Sequence, residues 1–394
     1  MVRAFFITPI CLFYNELPLT FEGKVVTIIL QIIGNVTGNI TGKITVIHIA
    51  IGTDKAMTIK DIARLSGVSV STVSRVLNNR PDVSEESRRR VRSVIENASY
   101  IPNNTARDLV KTKSDAIGLV VRGISNPFYT DVITAIEKKI ENAGYTMVMR
   151  QIASNADEIQ CGAEMEREKR LLGIVFLGGC QDYTPERLKV LNVPFVCCTY
   201  TNKYGTIDSE QYSSVSIEDQ DEAYRAVDIL IKNGHRCIAA LVSATDDGSI
   251  SQLRYQGYLK ALKDNGIEYD PGLVIEAGGF SIADAYRAVA GKLNENNADF
   301  TALFTIADVM AMGAMRALRE RGKRVPEDCS VIAIDGIAVS EYIHPMLSTL
   351  CQPVEEMGQK SVDILLDIIE GRCGNRHVVL PTCFREGASI CKLN

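Results

Sequence analysis

The sequence predicts an α/β protein in which a small helical segment precedes a larger region of doubly wound parallel sheets. Two patterns carry this prediction. Residues 58–78 contain two short helical repeats joined at a glycine, and from Ser114 onward short apolar runs alternate with helical or turn segments. Such alternation is typical of βαβ units, in which helices cover both faces of a parallel sheet.

The composition indicates a globular protein with an uneven charge distribution. With 394 residues, of which 46% are apolar and 23% charged, the chain is long enough for two or three domains with sizeable cores. Its net charge is -5, yet residues 57–113 hold 11 Lys/Arg against 6 Asp/Glu. A basic segment on an acidic body favours phosphate binding by that segment alone.

Cysteine and histidine usage points away from a metal centre and from catalysis. The cysteines, eleven in all, include no C-x-x-C pair, so neither a zinc site nor a disulfide framework is predicted. Reduced thiols and a cytoplasmic location are the simpler interpretation. The four histidines lack ligand spacing, and the sequence has no phosphate-binding glycine loop and no nucleophile elbow. We therefore expect no cofactor, no metal and no enzymatic activity.

Residues 1–56 form an atypical N-terminal extension. They contain the apolar run Val25 to Ile33, which is too short to span a bilayer, and a repetitive second half that is strand-like or unstructured. A signal peptide fits poorly because Arg3 is the only basic residue before the first apolar run. We hypothesise that translation begins at Met57, with a membrane anchor as the minor alternative. An intact mass from the native host that includes residues 1–56 would contradict the hypothesis.

The first helical repeat is expected to begin after Thr58, which precedes Asp61 by three residues in an N-terminal capping arrangement. Its apolar positions recur at three- and four-residue steps and are expected on one face: Ile59, Ile62, Ala63 and Leu65. Gly67 follows at the sharp turn, where glycine can adopt a positive φ without strain. The repeat therefore predicts a short amphipathic helix that ends at a tight turn.

Ser69 is a suitable N-cap for the second helix, whose inward face is predicted to be Val73, Val76 and Leu77. Two short helices joined by such a turn form a helix-turn-helix, in which the second helix enters a DNA major groove. Its other face carries side chains that can read base edges or hold phosphates: Val70, Ser71, Thr72, Ser74, Arg75 and Asn78. The alternative is an ordinary helical hairpin with a solvated polar face.

The stretch resembles the DNA-binding headpiece of the lactose and galactose repressor family, and the likeness runs from about Met57 to the C-terminus. The family implies a third headpiece helix, a hinge helix and a two-lobed core similar to periplasmic binding proteins. Ser84 fits the N-cap of the third helix, and the arginines that follow it are phosphate contacts or a solvated basic face. In the hinge, Ala106 and Leu109 match residues that enter the minor groove, and Asn103 matches a polar contact. The alternative makes Leu109 a linker residue packed on the core.

The core strands are expected at short apolar runs: IGLVV, YTMVMRQ, GIVFLG, PFVCC, SSVSI, CIAALVS, LVIEA, TALFT and SVIAID. In the architecture that the resemblance implies, the chain passes between two lobes three times, and we expect crossovers near Ile217 and near Leu347 to Val354. After Leu380 only a short tail remains, without a heptad-bearing helix, so tetramers are not expected.

The resemblance also implies an effector site at strand ends in the cleft between the lobes. The matching positions are Phe128, Arg254, Phe280, Asp308, Asp335 and Gln352. An arginine, two carboxylates and an aromatic ring suit a polyhydroxylated ligand. Alternatives stay open, because Asp308 can cap a helix, Arg254 can pair with a structural carboxylate, and either phenylalanine can be core. Arg122 stands where many relatives have proline–aspartate, which suggests an effector with a negative charge.

These patterns combine into one functional prediction. We expect an N-terminal extension (1–56), a helix-turn-helix headpiece (57–102), a hinge helix and linker (103–114) and an effector-binding and dimerisation core (115–394). The predicted function is a homodimeric DNA-binding transcriptional regulator, a repressor in the family's more common form, controlled by a sugar-like effector. A sugar-binding protein of a transport system is the alternative, but such a protein would need an export signal and would have no use for residues 57–113.

Overall fold

The structure is a computed structural model that describes residues 25–31, 44–50, 57–77, 80–98, 114–123, 126–294 and 299–393, with the first two ranges described by backbone alone. The chain divides into two compact units, Met1–Lys111 and Thr112–Asn394. In the first unit, β1 (Val25–Gln31) pairs with β2 (Ile44–Ala50) in an antiparallel sheet. Of the two alternatives for the repetitive second half of the extension, β2 matches the strand-like one. Every helix in the described ranges is too short or too polar to cross a membrane.

Residues 57–77 and 80–98 of the headpiece contain three helices, α1 (Ile59–Ser66), α2 (Val70–Leu77) and α3 (Glu85–Asn97). The predicted capping of α1 is confirmed, because Asp61 N donates to Thr58 Oγ1 (3.4 Å) and Thr58 N donates to Asp61 Oδ2 (3.0 Å). Gly67 ends α1 with φ 65°. Five buried residues from the three helices form one small core: Ile62, Ala63, Val73, Val76 and Val91.

The predicted inward face of α1 is wrong at one position. Leu65 is 55% exposed, whereas Ser66 is buried and its hydroxyl donates to Ile62 O at 2.6 Å. Successive side chains of an α-helix are rotated by about 100° around its axis. Ser66 therefore points in a direction between Ile62 and Ala63, whereas Leu65 points away from Ala63. The inward position therefore belongs to a serine that satisfies its own hydroxyl within the helix.

The N-terminal lobe of the core is built on a parallel six-stranded sheet with the order β13-β7-β6-β5-β3-β4. Its strands are β3 (Ala116–Arg122), β4 (Thr146–Ile152), β5 (Gly173–Leu177), β6 (Phe195–Cys198), β7 (Ser213–Ser216) and β13 (His377–Val379). Its helices are α4 (Phe128–Asn142), α5 (Glu158–Lys169), α6 (Pro185–Leu188) and α11 (Val354–Ile369).

The C-terminal lobe has a second six-stranded sheet with the order β14-β12-β11-β10-β8-β9, in which only β14 is antiparallel to its neighbour. Its strands are β8 (Ile238–Val242), β9 (Val274–Glu276), β10 (Ala302–Thr305), β11 (Ser330–Asp335), β12 (Ser348–Cys351) and β14 (Cys383–Arg385). Its helices are α7 (Asp219–Lys232), α8 (Ile250–Asp264), α9 (Ile282–Lys292) and α10 (Asp308–Glu320). Short 3-10 turns occur at Ser209–Gln211, Pro271–Leu273 and Ala338–Glu341.

The chain crosses between the two sheets three times. The first crossover joins β7 to α7 around Ile217, and the second joins β12 to α11 at Gln352 and Pro353. The third, residues 380–382, returns from β13 to β14. The two predicted crossover positions are confirmed. Because α11 and β13 belong to the N-terminal lobe, each lobe is assembled from separate parts of the sequence.

Close helix packing in the C-terminal lobe depends on Gly257 of α8. A Cβ at this position would overlap Gln220 O and the Ala223 side chain of α7, so only glycine permits this approach. The last residues also belong to this lobe instead of forming a loose tail. Val331 N donates to Ser389 O (2.7 Å), and Leu393 N donates to Asn233 O (2.8 Å).

Candidate functional site

The outer face of α2 presents the side chains expected to contact DNA. Ser69, Val70 and Ser71 are exposed at the start of the helix, and Thr72 and Ser74 are half-buried. Thr72 N donates to Ser69 Oγ at 3.1 Å, which caps the helix as predicted. The hydroxyl oxygens of Ser71 and Thr72 lie 2.7 and 2.8 Å from Ser69 Oγ. The start of α2 therefore carries a compact group of hydroxyls beside an exposed valine.

Arg75 lies one turn further along α2 and is solvent-accessible. Its Nε is 3.4 Å from Asp82 Oδ2, and both side chains are more than half exposed. Ion pairs at this exposure contribute about 0–1 kcal/mol, so a phosphate or a guanine edge can replace Asp82 at little cost. The geometry leaves Arg75 available to a nucleic acid.

The basic residues of α3 divide into two kinds. Arg88 donates through Nη2 to Arg80 O at 2.6 Å and approaches Glu85 at 3.5 Å, so it supports the turn before α3. Arg89 and Arg90 are exposed, as phosphate contacts require. Thr58 is exposed but is occupied in capping α1. The remaining predicted DNA contacts lie outside the described residues: Asn78, Asn103, Ala106 and Leu109.

In the core, the carboxyl ends of the strands in the C-terminal lobe meet at a buried ion network. Asp335 ends β11 with φ 140°, an unusual value for a residue with a side chain, and is 3% exposed. Arg254 of α8 approaches its Oδ1 at 3.5 Å and contacts Asp219 at 2.8 Å. The same guanidinium donates a short hydrogen bond to Ile306 O. The arginine is thus held by two buried carboxylates and a backbone carbonyl.

Two amides complete the coordination of Asp335. Asn126, in the N-terminal lobe, donates through Nδ2 to Asp335 Oδ2 at 2.9 Å. Gln352, in the second crossover, donates through Nε2 to Asp335 Oδ1 at 2.9 Å. Asp335 is therefore a direct polar link between the lobes. We refer to Asn126, Asp219, Arg254, Asp335 and Gln352 as the interlobe network.

Asp308, the first residue of α10, binds a neighbouring loop instead of capping its own helix. Its Oδ2 accepts from Ile337 N (2.9 Å) and Ser340 Oγ (2.8 Å), and its Oδ1 accepts from Thr349 Oγ1 (2.5 Å). The side chain is completely buried. Asp308 therefore joins α10 to the turn after β11 and to β12, next to the interlobe network.

The carboxylates of this region resist ionisation. Burial, followed by the charge of Asp335, raises the pKa of Asp308 to about 6. Burial is also the main reason that the pKa of Asp335 is raised, although Arg254 and the two amides oppose it. Burial disfavours the charge of Arg254, but Asp219 and Asp335 outweigh it and raise the pKa of the arginine. Perturbed ionisable groups at strand ends are typical of functional sites.

The predicted aromatic residues lie at the edges of this region. Phe128 begins α4 and is 4% exposed within the core, which matches the core alternative. Phe280 is half-buried in the loop between β9 and α9. Tyr129 was not predicted, yet burial, followed by the charge of Asp335, raises the pKa of its hydroxyl to about 12. Its position next to Phe128 in the ISNPFY segment was the signal that could have identified it.

Arg122 belongs to a different cluster, inside the N-terminal lobe. Its Nε donates to Ser154 O at 2.6 Å, and its Nη1 lies 3.6 Å from the buried Glu158 carboxylate and donates a short hydrogen bond to Cys180 Sγ. Glu158 also accepts from Tyr183 Oη at 2.9 Å. The charge of Arg122 thus has a partner within its own lobe, the carboxylate of Glu158.

Sequence reasoning missed two members of the interlobe network, Asn126 and Asp219. Asn126 stood in the same ISNPFY segment as Phe128, and Asp219 is the first residue of the helix after the first crossover. Both residues stand at recognisable places in the sequence. The residues that they bond, Asp335 and Arg254, are 209 and 35 residues away. Among the residues that the structure describes, none form a group of three or more metal-binding side chains.

Comparison with known proteins decides the family. The model described as bacterial regulatory proteins, lacI family, matches residues 58–103, and the model described as a periplasmic binding protein-like domain matches residues 227–390. The HTH-type transcriptional regulator MalR of Clostridium butyricum is 39% identical over 328 residues, which are 83% of this chain and 97% of that protein. The chain belongs to the lacI family of bacterial regulatory proteins. The HTH-type transcriptional repressor PurR of Pasteurella multocida is 31% identical over 326 residues, 82% of this chain and 95% of its own length.

Solved structures of transcriptional regulators share the fold. The lac repressor dimer bound to operator and the anti-inducer ONPF has a TM-score of 0.68 at 26% identity, covering 86% of this chain and 100% of that chain. A complex of the transcriptional regulator CelR with cellobiose has a TM-score of 0.63 at 28% identity, covering 84% and 99%. The predicted fold and the predicted function, a DNA-binding transcriptional repressor with a small-molecule effector, are confirmed for the family, and the comparisons give no support to a transport role.

Proposed function

We propose that this protein is a homodimeric repressor that binds a pseudo-palindromic operator in the cytoplasm and responds to a neutral, polyhydroxylated ligand such as a sugar. The observation that carries the proposal is the interlobe network, in which Asp335 is contacted from both lobes. A ligand that binds there acts on the contact that holds the lobes together. Coupling of about 1–3 kcal/mol between ligand and operator would change operator affinity roughly 5–150-fold.

The chemistry of the network favours hydroxyl groups as partners. Carboxylates accept hydrogen bonds and amides both donate and accept, so Asp335, Asn126 and Gln352 can exchange their mutual bonds for bonds to a sugar. The charge of Arg122 is balanced by Glu158, and that of Arg254 by two aspartates, which disfavours an anion. Related structures support the class, since CelR is in complex with cellobiose and a regulator from Enterococcus faecium contains ribose.

DNA binding is proposed to use Ser69, Val70, Ser71, Thr72, Ser74 and Arg75 for bases and nearby phosphates. Asn78 and Thr58 are proposed as flanking contacts, and Asn103, Ala106 and Leu109 as hinge contacts in the minor groove. Two headpieces are needed for a pseudo-palindromic site. A dimer is further supported by the 3-10 turn at Ala338–Glu341, where Val339 and the adjacent Tyr342 are 42% and 85% exposed. Exposed apolar groups in such a turn are suited to an interface.

Fluorescence anisotropy with labelled DNA from the gene's own promoter tests the DNA-binding part. We expect salt-dependent affinity and a preference over scrambled DNA, and Arg75→Ala should reduce that preference by roughly 5–150-fold, because one base contact contributes about 1–3 kcal/mol. Arg64→Ala is the matched control, since Arg64 is also exposed and paired with an aspartate three residues away. It should weaken binding to both DNAs equally. Unchanged preference in Arg75→Ala would contradict the assignment of α2.

Calorimetric titration with neutral sugars and sugar acids tests the effector part. We expect at least one neutral sugar to bind, and Gln352→Ala to weaken it because Gln352 contacts Asp335 directly. Gln359→Ala is the control, as Gln359 is a half-buried glutamine of α11 whose amide donates to Glu355 one turn away on the same helix. Tight binding of sugar acids alone, abolished in Arg122→Ala, would support the anionic effector instead. The hits are then added to the anisotropy assay.

A further inference from the structure

Two cysteines face each other directly across the edge of the C-terminal sheet. β12 and β14 are antiparallel, and Cys351 is the register partner of Cys383. Directly opposed residues of antiparallel strands have Cα atoms about 4.5–5.5 Å apart, within the range that a disulfide requires. Both residues are free thiols. The register therefore places the two cysteines at a Cα separation that a disulfide can span.

The position of this pair in the chain is unusual. Cys351 is the last residue of β12 and immediately precedes the second crossover, whereas Cys383 is the first residue of β14 and immediately follows the third. The segment between them contains α11 and β13, which belong to the N-terminal lobe. A bond between the two sulfur atoms would close a covalent loop of residues 351–383, which contains the second and third crossovers.

Neighbouring contacts bring α7, the helix that follows the first crossover, into the same region. Thr382 Oγ1 donates to Glu222 Oε2 of α7 at 2.6 Å and accepts from Arg225 Nη1 at 3.1 Å. Cys351 is also the register partner of Asp335, and Gln352 follows it. The thiol pair thus lies beside the interlobe network, at the base of the connections about which the lobes must move.

The two thiols differ in accessibility. Cys383 is exposed and can meet a small oxidant, whereas Cys351 is half-buried. Burial raises the pKa of Cys351 to about 11, and Arg385 opposes this rise. The exposed thiol therefore suits the first attack and the buried one suits the second. By contrast, Cys197 and Cys198 are fully buried, and the pKa of Cys198 is raised to about 12 by burial, which protects them.

We propose that Cys351 and Cys383 are a thiol modification site, oxidised by low-molecular-weight disulfides to an intramolecular disulfide that restrains movement between the lobes. The Cys383 thiolate attacks the oxidant, forms a mixed disulfide and releases one small thiolate. The Cys351 thiolate then attacks the Cys383 sulfur and releases the second small thiolate. The protein loses two electrons and two protons, and the oxidant is reduced to two thiols.

The chemical part is tested on the full chain with oxidised glutathione. Intact mass should show the loss of two hydrogen atoms, and peptide mapping should find Cys351 linked to Cys383. The Cys351→Ser variant should stop at a glutathione adduct on Cys383, and dithiothreitol should reverse both products. Cys373→Ser, which removes another partly exposed thiol, should behave like the unaltered protein. Continued alkylation of both Cys351 and Cys383 after treatment would overturn the proposal.

The regulatory part rests on the proposed function, so it is measured separately. For a sugar that releases or recruits operator DNA, the oxidised protein should show a several-fold smaller change in operator affinity, restored by dithiothreitol and absent in Cys383→Ser. An unchanged response after complete oxidation would overturn the restraint. If the protein failed to bind operator at all, the proposed function would fall, while the mass measurement would still decide the disulfide.

Discussion

Each lobe pairs an arginine with a buried carboxylate, but the two lobes do so in different ways. Arg122 contacts Ser154, Cys180 and Glu158, all within the N-terminal lobe. Arg254 contacts Asp219 and Asp335, and Asp335 is bound in turn by Asn126 from the other lobe. A network confined to one lobe can only stabilise that lobe. A network that spans two lobes also loses or gains hydrogen bonds when the distance between the lobes changes. A repressor controlled by a ligand requires such a dependence.

The largest expected effect comes from Arg254→Met, which removes the positive charge from the interlobe network. Asp219 and Asp335 would remain buried without a counter-charge, and losses of about 3–5 kcal/mol in the free energy of unfolding are typical of this situation. Urea denaturation measures the change. The control Arg316→Met, an exposed arginine of α10 paired with Glu320, should cost less than about 1 kcal/mol. Equal losses in the free energy of unfolding in both variants would contradict the difference that we expect between the buried network and an exposed ion pair.

The next largest effect is a pH dependence of the free energy of unfolding, which Asp308 gives to the C-terminal lobe. The folded state holds the Asp308 proton to about pH 6, whereas an unfolded aspartate releases it near pH 4. The folded state therefore binds more protons in this window, and stability falls as pH rises through it. Relative to Asp308→Asn, the protein should lose of the order of 1–3 kcal/mol between pH 4 and 7. Thermal unfolding across this range measures the difference, and parallel pH profiles would refute the assignment.

A smaller effect is expected from Glu158→Gln in the N-terminal network. Glutamine retains an acceptor for Cys180 N and Tyr183 Oη but removes the charge opposite Arg122, and we expect a loss of about 1–2 kcal/mol. Affinity for the sugar should stay unchanged, because this network lies within one lobe. Chemical denaturation and calorimetry on the same preparation test both statements. A large loss of sugar affinity would show that the N-terminal cluster belongs to the effector site.

The smallest effect on stability, and the most informative one, is expected from Asn126→Ala. Removing one neutral amide from Asp335 should cost about 0.5–1.5 kcal/mol. The sugar affinity should nevertheless change, since this is the direct hydrogen bond from the N-terminal lobe to Asp335. Asn192→Ala is the control, because its amide also bonds a carboxylate but is exposed within one lobe. A change in affinity in both variants, or in neither, would leave Asn126 without a special role.

Sequence patterns predicted the local structure well because local chemistry determines it. The nine predicted apolar runs became β3 to β11, whereas β12, β13 and β14 were not predicted as strands. Thr58, Gly67 and Ser69 delimit the first two headpiece helices, as their capping and turn preferences indicate. Leu65 was wrong because periodicity alone did not separate it from Ser66. The site was harder, because ion-pair partners depend on how distant segments pack. Nothing in the sequence around Arg122 indicates that Glu158 will neutralise it.

The integration of the final residues into the C-terminal lobe bears on how the protein can be manipulated. Residues 387–393 pair with β11 and with the end of α7, and the buried His235 lies 3.1 Å from Cys391 O through Nε2. A truncation before Ser389 would deprive Val331 N and the His235 ring of their hydrogen-bond partners. An affinity tag or reporter inserted among these residues would disturb their hydrogen bonds to the C-terminal lobe. The same insertion in an exposed loop would leave those bonds intact.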